Sequence, residues 1–218
     1  MAILFSDRHE AGRQLAAGLK QFAHQPDVVV LALPRGGVPV ALEVAKEIGA
    51  PLDVFIVRKL GVPGQPELAM GAIASGDVRI LNQELIDDFN VDPGDIDRIT
   101  NQEKSELRQQ EDLYRLHQPP YDYYGKNIIV IDDGLATGAS MQVALQALRM
   151  QSPARLIVAV PVGSIEGFRR IRLIADEVVC VACPDDFEAV GAVYHDFSQV
   201  SDEQVLELMS KQPCPRKR

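Results

Sequence analysis

The chain has 218 residues, of which 46% are hydrophobic and 24% charged, and its formal net charge at pH 7 is −9. This composition is typical of a globular protein, and the negative charge disfavours general binding to nucleic acid or to anionic membranes. No apolar run approaches the roughly 18 residues that a membrane-spanning helix needs. The apolar patch at the N-terminus is too short for a signal peptide. We therefore predict a cytoplasmic protein that binds neither nucleic acid nor membrane.

Short apolar runs alternate with segments of helical periodicity over most of the chain. In chain order we predict a helix at 8–22, a strand at 27–34, a helix at 37–49, a strand at 52–61, a loop at 61–69, two short strands within 70–81, a strand at 127–132, a helix at 139–151, a strand at 154–162, a helix at 164–174, a strand at 177–182 and a helix at 202–211. This alternation is typical of an α/β fold with a mostly parallel, Rossmann-like sheet and helices on both faces.

Residues 82–118 differ from the rest of the chain in being polar, highly charged and free of β-rich runs. Their pattern indicates a short helix and then a long one, with Pro93 near the first turn of the second. We interpret this segment as a helical insertion at about 82–118. The whole chain, residues 1–218, is then predicted to form one domain.

The most informative stretch is IIVIDDGLATGAS at 128–140, where a buried strand ends at two adjacent aspartates, Asp132 and Asp133. In parallel α/β sheets, ligands bind beyond the carboxyl ends of the strands. Two neighbouring carboxylates are good acceptors for a vicinal diol. The alternative is a single aspartate that caps the next helix above a tight turn, which requires one carboxylate and leaves the other unexplained.

The residues after the two aspartates suit a phosphate group. Gly134 and Gly138 allow close approach of the backbone, and Thr137 and Ser140 offer hydroxyl groups. The first amides of the helix that follows have no partners within the helix, so they attract anions. Diol and phosphate sites side by side predict a sugar phosphate as ligand.

Two other strand ends supply positive charge. In LPRGG, Gly36 and Gly37 could present consecutive N–H groups beside Arg35, and in VRKLG, Arg58 and Lys59 follow the next strand. Arginine suits two-point contact with phosphate oxygens, and lysine acts as a mobile point charge. We predict a second anionic group here. For the Arg58–Lys59 pair, the alternative is an ordinary solvated pair of charges.

Other motifs exclude several classes of site. The chain has no GxxxxGK[ST] phosphate loop, no GxGxxG after the first strand and no second pair of ligands that could complete a zinc site with CVAC. Cys180 and Cys183 lie in an apolar run that is typical of a buried strand. We therefore interpret them, with Cys214, as inert core cysteines.

These residues resemble those of a known family. IIVIDDGLATGAS resembles the fingerprint with which type I phosphoribosyltransferases bind phosphoribosyl pyrophosphate (PRPP). LPRGGVPVA resembles their pyrophosphate loop, and IVRKLGVPG is similar to the basic strand end and flexible loop of the adenine enzymes. The match spans most of residues 27–182, and the whole chain is similar to stand-alone predicted phosphoribosyltransferases. It implies the type I phosphoribosyltransferase fold, with a small hood over the acceptor built from residues 1–8 and about 184–200.

The resemblance also implies roles for individual residues. Asp132 and Asp133 would hold the ribose hydroxyls, one of them through Mg²⁺, and would be catalytic together with Arg58 and, as a general acid or base, Glu67 in a lid at 61–69. For Glu67, the alternative is an exposed loop charge. The residues expected to bind PRPP and its pyrophosphate are Arg35, Gly36, Gly37, Arg58, Lys59, Asp132, Asp133, Gly134, Leu135, Ala136, Thr137, Gly138, Ala139 and Ser140. A cis peptide bond is expected near Arg35–Gly36.

The implied activity is transfer of the 5-phosphoribosyl group from PRPP to a nucleobase or another small nucleophile, with release of pyrophosphate. Two departures from the family pattern bear on the acceptor: Ala136 replaces the aspartate common in 6-oxopurine enzymes, and the adenine-like loop matches only as far as Gly64. Aromatic residues of the hood could stack on a planar acceptor, or could pack onto the sheet instead. A non-catalytic PRPP sensor of the same fold is the alternative function, and a homo-oligomer is expected.

Overall fold

The structure is a computed structural model that describes residues 3–212. The helices are α1 Arg8–Ala17, α2 Gly37–Ile48, α3 Gln83–Asp88, α4 Pro93–Tyr114, α5 Ala139–Arg149, α6 Ile165–Ile171 and α7 Asp202–Ser210. The strands are β1 Val28–Ala32, β2 Leu52–Val54, β3 Val57–Val62, β4 Gln65–Ala74, β5 Val78–Leu81, β6 Asn127–Ile131, β7 Arg155–Val162 and β8 Glu177–Ala182. The first two residues of the predicted hood and Cys214 lie outside the described residues.

Five parallel strands form the central sheet, in the order β2-β1-β6-β7-β8. Alternate residues of β1 point to opposite faces, so Val30 packs with α1, α2 and α7, whereas Leu31 packs with α5 and α6. Both faces of the strand are therefore covered, which explains why β1 is a continuous apolar run and does not alternate with polar residues. The predicted α/β class and parallel sheet are confirmed.

The predicted single strand at 52–61 is wrong, because this segment divides between two sheets. Residues 52–54 pair with β1, and the chain then leaves the central sheet and enters an antiparallel sheet, β3-β4-β5. The amide of Ile56 donates to Ser75 Oγ at 2.9 Å, close to the point of departure. The apolar run continues through this change of sheet, so hydrophobic periodicity does not reveal it.

The predicted loop at 61–69 is also wrong, since most of it belongs to the β3–β4 hairpin. Gly61 pairs with Ala69 and Val62 pairs with Gln65, with irregular register on either side of Gly61. Pro and Gly residues predicted a loop here, but they serve the turn and the irregular pairing. The two short strands predicted within 70–81 are confirmed as the end of β4 and β5.

The segment 82–118 is helical, as predicted, and consists of α3 and α4. Helix α4 begins after Asp92, whose side chain accepts from Gly94 N, with Pro93 in the first turn. Its apolar face joins the core that covers one side of the central sheet, through Ile96, Leu107 and the fully buried Tyr114.

A buried ion pair fixes the end of α4 against the central sheet. Arg115 Nε lies 3.1 Å from Asp53 Oδ1, and the side chain of Asp53 is fully buried. Arg115 also donates to the carbonyl of Val54 at 3.1 Å and pairs with Glu111 at 2.9 Å. Because β2 is an edge strand of three residues, this ion pair connects the segment 82–118 to a short element of the sheet.

The interpretation of CVAC as core is wrong for one of its two cysteines. Cys183 lies beyond the end of β8 and is exposed, and Cys180 is only partly buried. Cys183 is exposed because it follows the end of the strand, and Cys180 is only partly covered because β8 is an edge strand of the sheet. Burial still raises the pKa of the Cys180 thiol to about 11, which makes its reactive thiolate form rare at neutral pH.

Across residues 3–212, no helix combines the length and the apolar character that crossing a membrane would require.

Removal of the Arg115 cation is expected to destabilise the fold strongly. Arg115→Met leaves the buried Asp53 carboxylate without this partner, so we expect the free energy of unfolding to fall by about 3–5 kcal/mol. Urea denaturation followed by circular dichroism measures the change. The matched control, Arg98→Met, removes an exposed ion pair with Asp95 on the same helix and is expected to cost under about 0.5 kcal/mol. Equal losses in the two variants would contradict a special role for the buried pair.

Candidate functional site

A cleft of about 550 Å³ opens at the carboxyl ends of β1, β2 and β6. Asp132, which follows β6, lines this cleft together with Ser140 at the start of α5. Two basic side chains, Arg35 after β1 and Arg58 in β3, line it as well. The structure therefore brings together one residue or more from each of the three strand ends that carry unusual chemistry in the sequence.

Gly36 and Gly37 are required by close packing against the acidic strand end. A Cβ atom at residue 36 would lie 2.1 Å from Asp133 Oδ2, and one at residue 37 would lie 2.7 Å from the carbonyl oxygen of Ile131. The amide of Gly37 donates to the carbonyl of Leu33 at 3.1 Å. The expectation that both glycines offer N–H groups to a ligand is therefore wrong for Gly37, whose amide closes the turn into α2.

The two aspartates have different surroundings. Asp132 Oδ1 accepts from the amide of Asp133 at 2.9 Å and its side chain faces the cleft. Asp133 Oδ2 accepts from Arg8 Nε at 2.8 Å, and its backbone carbonyl accepts from the Tyr194 hydroxyl at 2.6 Å. Asp133 is thus held by the hood, and only Asp132 lines the cleft.

Arg8 is a site residue that the sequence analysis did not identify. It is only 9% exposed, and it donates to the carbonyl of Ser198 at 2.8 Å while its guanidinium lies 3.9 Å from the centre of the Phe197 ring. An arginine in the first turn of an amphipathic helix carries no sequence signal for such a contact, because its partners lie more than 120 residues away along the chain.

Burial raises the pKa values of both aspartates. For Asp132 the pKa is raised well above its usual range, first by burial and then by the neighbouring charge of Asp133. For Asp133 burial also raises the pKa, whereas the hydrogen bond and charge of Arg8 oppose the rise. The folded chain therefore holds two carboxylates where their charges are unfavourable unless a cation or hydrogen-bond donor joins them.

The predicted phosphate loop, residues 134–140, is partly fixed by the protein itself. Leu135 is buried, its amide donates to Val162 O at 2.9 Å and its carbonyl accepts from Ser164 N at 2.8 Å. The expectation that Leu135 binds a ligand is therefore wrong, because it packs the loop onto β7. Gly138, with φ of +74°, precedes α5, and three loop residues on the way into that helix are exposed: Ala136, Thr137 and Ser140.

The remaining members of this loop lie as follows. Gly134 packs against Val190 of the hood, and the amide of Ala139 lies 3.4 Å from Thr137 Oγ1, a long hydrogen bond. The structure therefore leaves the hydroxyls of Thr137 and Ser140 and the start of α5 as the part of the loop that a phosphate could contact.

The basic residues do not all face the same way. Because successive residues of a strand point to opposite faces, Arg58 lines the cleft and Lys59 lines an adjoining groove against α5, which shares Val57 and Ser140 with the cleft. That Lys59 acts on the same ligand group as Arg58 stays a prediction. The cis peptide bond of this region joins Pro34 to Arg35, one residue earlier than expected.

Glu67, predicted as a general acid or base in a mobile lid, lies in β4 and is exposed. It is outside the lining of the cleft. Its alternative interpretation as an exposed charge describes its position better.

The hood brings residues near the N-terminus against the segment before α7. Phe5 pairs with Tyr194 through a β-bridge and a ring contact of 5.3 Å between centroids. Phe5 and Tyr194 are buried with Val193, and Phe187 and Val190 pack on the same cluster. Most of these side chains therefore pack the hood together, as the alternative interpretation held, and Phe197 is exposed next to Arg8.

A family model described as "Phosphoribosyl transferase domain" matches residues 7–198. The chain belongs to this family. The matched range begins one residue before Arg8 and includes the acidic strand end and most of the hood segment at 184–200, and it spans all of the cleft described above except Asp202.

Individual relatives agree with this assignment. The chain is 44% identical over 208 residues to a Mycobacterium tuberculosis protein named "Putative phosphoribosyl transferase Rv0571c", a match that covers 95% of this chain and 47% of that protein. The chain thus spans about half the length of the curated relatives it matches. The crystal structure of TT1426 from Thermus thermophilus is 41% identical, with a TM-score of 0.82, and the match covers 97% of this chain and 99% of that one.

A more distant structure shares the fold alone. The match to a hypothetical protein from Neisseria gonorrhoeae, solved with bound ppGpp, covers 96% of both chains at 12% identity and a TM-score of 0.51.

The phosphoribosyl transferase family generally uses Mg²⁺. The acidic strand end fits a site in which the protein supplies some of the metal ligands and the bound substrate supplies others. Within residues 3–212, no group of three or more His, Cys, Asp or Glu side chains could hold a metal ion. Mg²⁺ is usually held by one or two carboxylates together with ligand oxygens and water. The Asp132 carboxylate lines the cleft, and its raised pKa shows that its negative charge is unfavourable there. A bound Mg²⁺ would compensate that charge.

The raised pKa of Asp132 predicts that its charge destabilises the folded chain. A raised folded-state pKa penalises folding above that pKa, and the penalty fades as pH falls toward the usual value of 3.8. Asp132→Asn keeps an oxygen that can accept from the Asp133 amide. We therefore expect a gain of about 1 kcal/mol at pH 7.5, or roughly 2–4 °C in melting temperature.

Thermal unfolding at pH 7.5 and pH 4 measures this gain, which is expected to shrink at the lower pH. The control, Asp97→Asn, removes an exposed carboxylate on α4 that pairs with Arg79, and should show no comparable gain. A destabilised Asp132→Asn protein at pH 7.5 would contradict the prediction.

Proposed function

We propose that the chain is a PRPP-dependent phosphoribosyltransferase that transfers the 5-phosphoribosyl group to a nucleobase or another small nucleophile and releases pyrophosphate. The observation that carries this proposal is the cleft where Asp132, Arg35, Arg58 and Ser140 meet. A carboxylate for a diol, a helix start for a phosphate and two guanidinium groups for a pyrophosphate match the three chemically distinct parts of PRPP.

In this arrangement the 5-phosphate lies at the start of α5. Thr137 and Ser140 offer hydroxyl donors there, and the helix dipole favours negative charge. The ribose hydroxyls lie on Asp132, the carboxylate that would hold Mg²⁺ when the ion is bound. Asp133 takes part when its contact with Arg8 is exchanged for the sugar.

The reaction breaks the bond between the anomeric carbon and the pyrophosphate oxygen, and the nucleophilic atom of the acceptor bonds to that carbon. Arg35 and Arg58 stabilise the negative charge that develops on the leaving pyrophosphate. When Mg²⁺ is bound, it neutralises part of the same charge. We assign Arg58 a catalytic role on this basis and withdraw the one considered for Glu67, which lies outside the cleft.

Two residues, Ala136 and Phe197, bear on the identity of the acceptor. Ala136 stands where 6-oxopurine enzymes of this family commonly carry an aspartate, which argues against hypoxanthine, guanine or xanthine. Phe197 is the exposed aromatic ring of the hood and suits contact with a planar acceptor. We place the protein in the cytoplasm, where PRPP and nucleobases are metabolised, and propose that it forms homo-oligomers.

A PRPP sensor without catalysis is the second candidate, and the contact between Arg8 and Asp133 favours it. That contact leaves one carboxylate of the acidic pair open to the cleft. A site that binds PRPP without activating it requires only one such carboxylate.

Binding of PRPP is the first test. Isothermal titration calorimetry with PRPP and excess Mg²⁺ is expected to show binding to the wild-type chain, and Asp132→Asn is expected to weaken it at least about tenfold because a diol partner is lost. Asp97→Asn, on the outer surface of α4, serves as control and should bind as the wild type does. Equal affinity in wild type and Asp132→Asn would refute the site.

Release of pyrophosphate separates the enzyme from the sensor. Nucleobases and small amines are added one at a time to the chain with PRPP and Mg²⁺, and pyrophosphate is measured with a coupled assay. An enzyme releases pyrophosphate with at least one acceptor, and this release should fall strongly in Arg58→Ala. A chain that binds PRPP but gives no acceptor-dependent release is the sensor.

A further inference from the structure

Helix α4 carries a row of polar side chains, one of which lines the cleft. Glu103, Glu106, Gln110 and Tyr114 are spaced three and four residues apart, so they share one face of the helix. Gln110 lines the cleft, and it donates to the Tyr114 hydroxyl at 3.0 Å. This wall, the polar face of α4, therefore borders the site through Gln110.

This wall places two carboxylates on Arg58. Glu103 Oε2 accepts from Arg58 Nε at 2.6 Å, and Glu106 Oε2 accepts from Arg58 Nη2. The contact with Glu103 is partly buried, since the side chains of Arg58 and Glu103 are 27% and 21% exposed, whereas Glu106 is 46% exposed. Two of the five N–H groups of the guanidinium, one on Nε and one on Nη2, are therefore already used within the protein.

The second arginine of the cleft is approached by a third carboxylate. Asp202, at the start of α7, has Oδ1 at 3.5 Å from Arg35 Nη1. The same oxygen accepts from the Tyr114 hydroxyl at 2.5 Å. Burial, together with the hydrogen bond to Asp202, raises the pKa of Tyr114 to about 12, so the hydroxyl remains a donor at neutral pH.

A structural role alone explains the contacts of Glu103 and Glu106 poorly, because other contacts hold α4. Its apolar face is buried in the core that covers one side of the central sheet. The buried pair of Arg115 and Asp53 holds the end of the helix. Most of the contacts that position α4 are therefore independent of Arg58.

We propose that Glu103 and Glu106 lower the affinity of the pyrophosphate subsite, because they hold Arg58 as internal anions until a ligand displaces them. This inference rests on the proposed function, because it assumes that Arg58 binds the pyrophosphate of PRPP. Carboxylates and phosphoryl oxygens compete for the same donors of a guanidinium. Displacement lowers the affinity of every ligand that binds Arg58 by a similar factor. A ligand whose two phosphoryl groups reach both Arg58 and Arg35 gains more contacts to offset this cost than a single phosphate does.

The test compares Glu103→Gln/Glu106→Gln with the wild-type chain by titration calorimetry, using PRPP, inorganic pyrophosphate and inorganic phosphate as probes with excess Mg²⁺. Glutamine keeps the shape of the side chain and removes its charge. We expect the double variant to bind PRPP and pyrophosphate about tenfold more tightly. Inorganic phosphate should gain by a similar factor where it binds Arg58. Asp97→Asn on the same helix is the control, matched in charge to each single variant, and should leave all three affinities unchanged.

Unchanged or weaker binding of PRPP and pyrophosphate in the double variant would overturn the proposal, because Glu103 and Glu106 would then support the site rather than compete for it. The single variants Glu103→Gln and Glu106→Gln are measured in parallel, each with an expected gain of about threefold, so that the result does not depend on folding of the double variant. Absence of a gain in both would overturn the proposal equally. If the wild-type chain and all variants fail to bind PRPP, the proposed function itself fails, and that outcome is distinct from binding that the substitutions do not change.

Discussion

The burial of Asp132 and Asp133 at the end of β6 is the constraint around which the site is built. Burial of two neighbouring carboxylates raises their pKa values and is tolerated only where donors or cations come close. Arg8 supplies one such cation from α1, which ties the N-terminal helix to the far end of the sequence through Ser198 and Phe197. The packing of the hood and the charge of the strand end therefore depend on each other. The unfavourable charge that remains on Asp132 would be compensated by a bound ligand.

The parts of this structure that follow from local pattern could be predicted from the sequence. Continuous apolar runs identify β1 and β6 as buried parallel strands, and charge with helical periodicity identifies α4. The strand-end residues Asp132 and Arg35 could be placed at one edge because the carboxyl ends of parallel strands meet there. These inferences need only the period of the pattern and the geometry of a parallel sheet.

What could not be predicted depends on contacts between distant residues. Nothing local distinguishes the sheet change after Val54 from a continuing strand, and although strand alternation separates Arg58 from Lys59, nothing local shows which of the two enters the cleft. The amides of Gly37 and Leu135 suit a ligand by type, but the fold uses them for a turn and for a hydrogen bond to β7. Residue type determines which contacts a side chain or amide is able to make, and the tertiary structure determines whether it is free to make them with a ligand.

The same distinction applies to charge. Net charge describes the chain as acidic, and the cleft contains both signs: Arg35 and Arg58 face carboxylates from α4 and α7 at short range. An arginine that already has a carboxylate partner is held in place and desolvated before a ligand arrives, so a ligand gains the difference between two anionic partners and not the full strength of a new ion pair. Affinity in such a cleft is then governed by how well the phosphoryl oxygens fit compared with the carboxylates they replace. This favours a ligand whose shape reaches both arginines over one that merely carries negative charge.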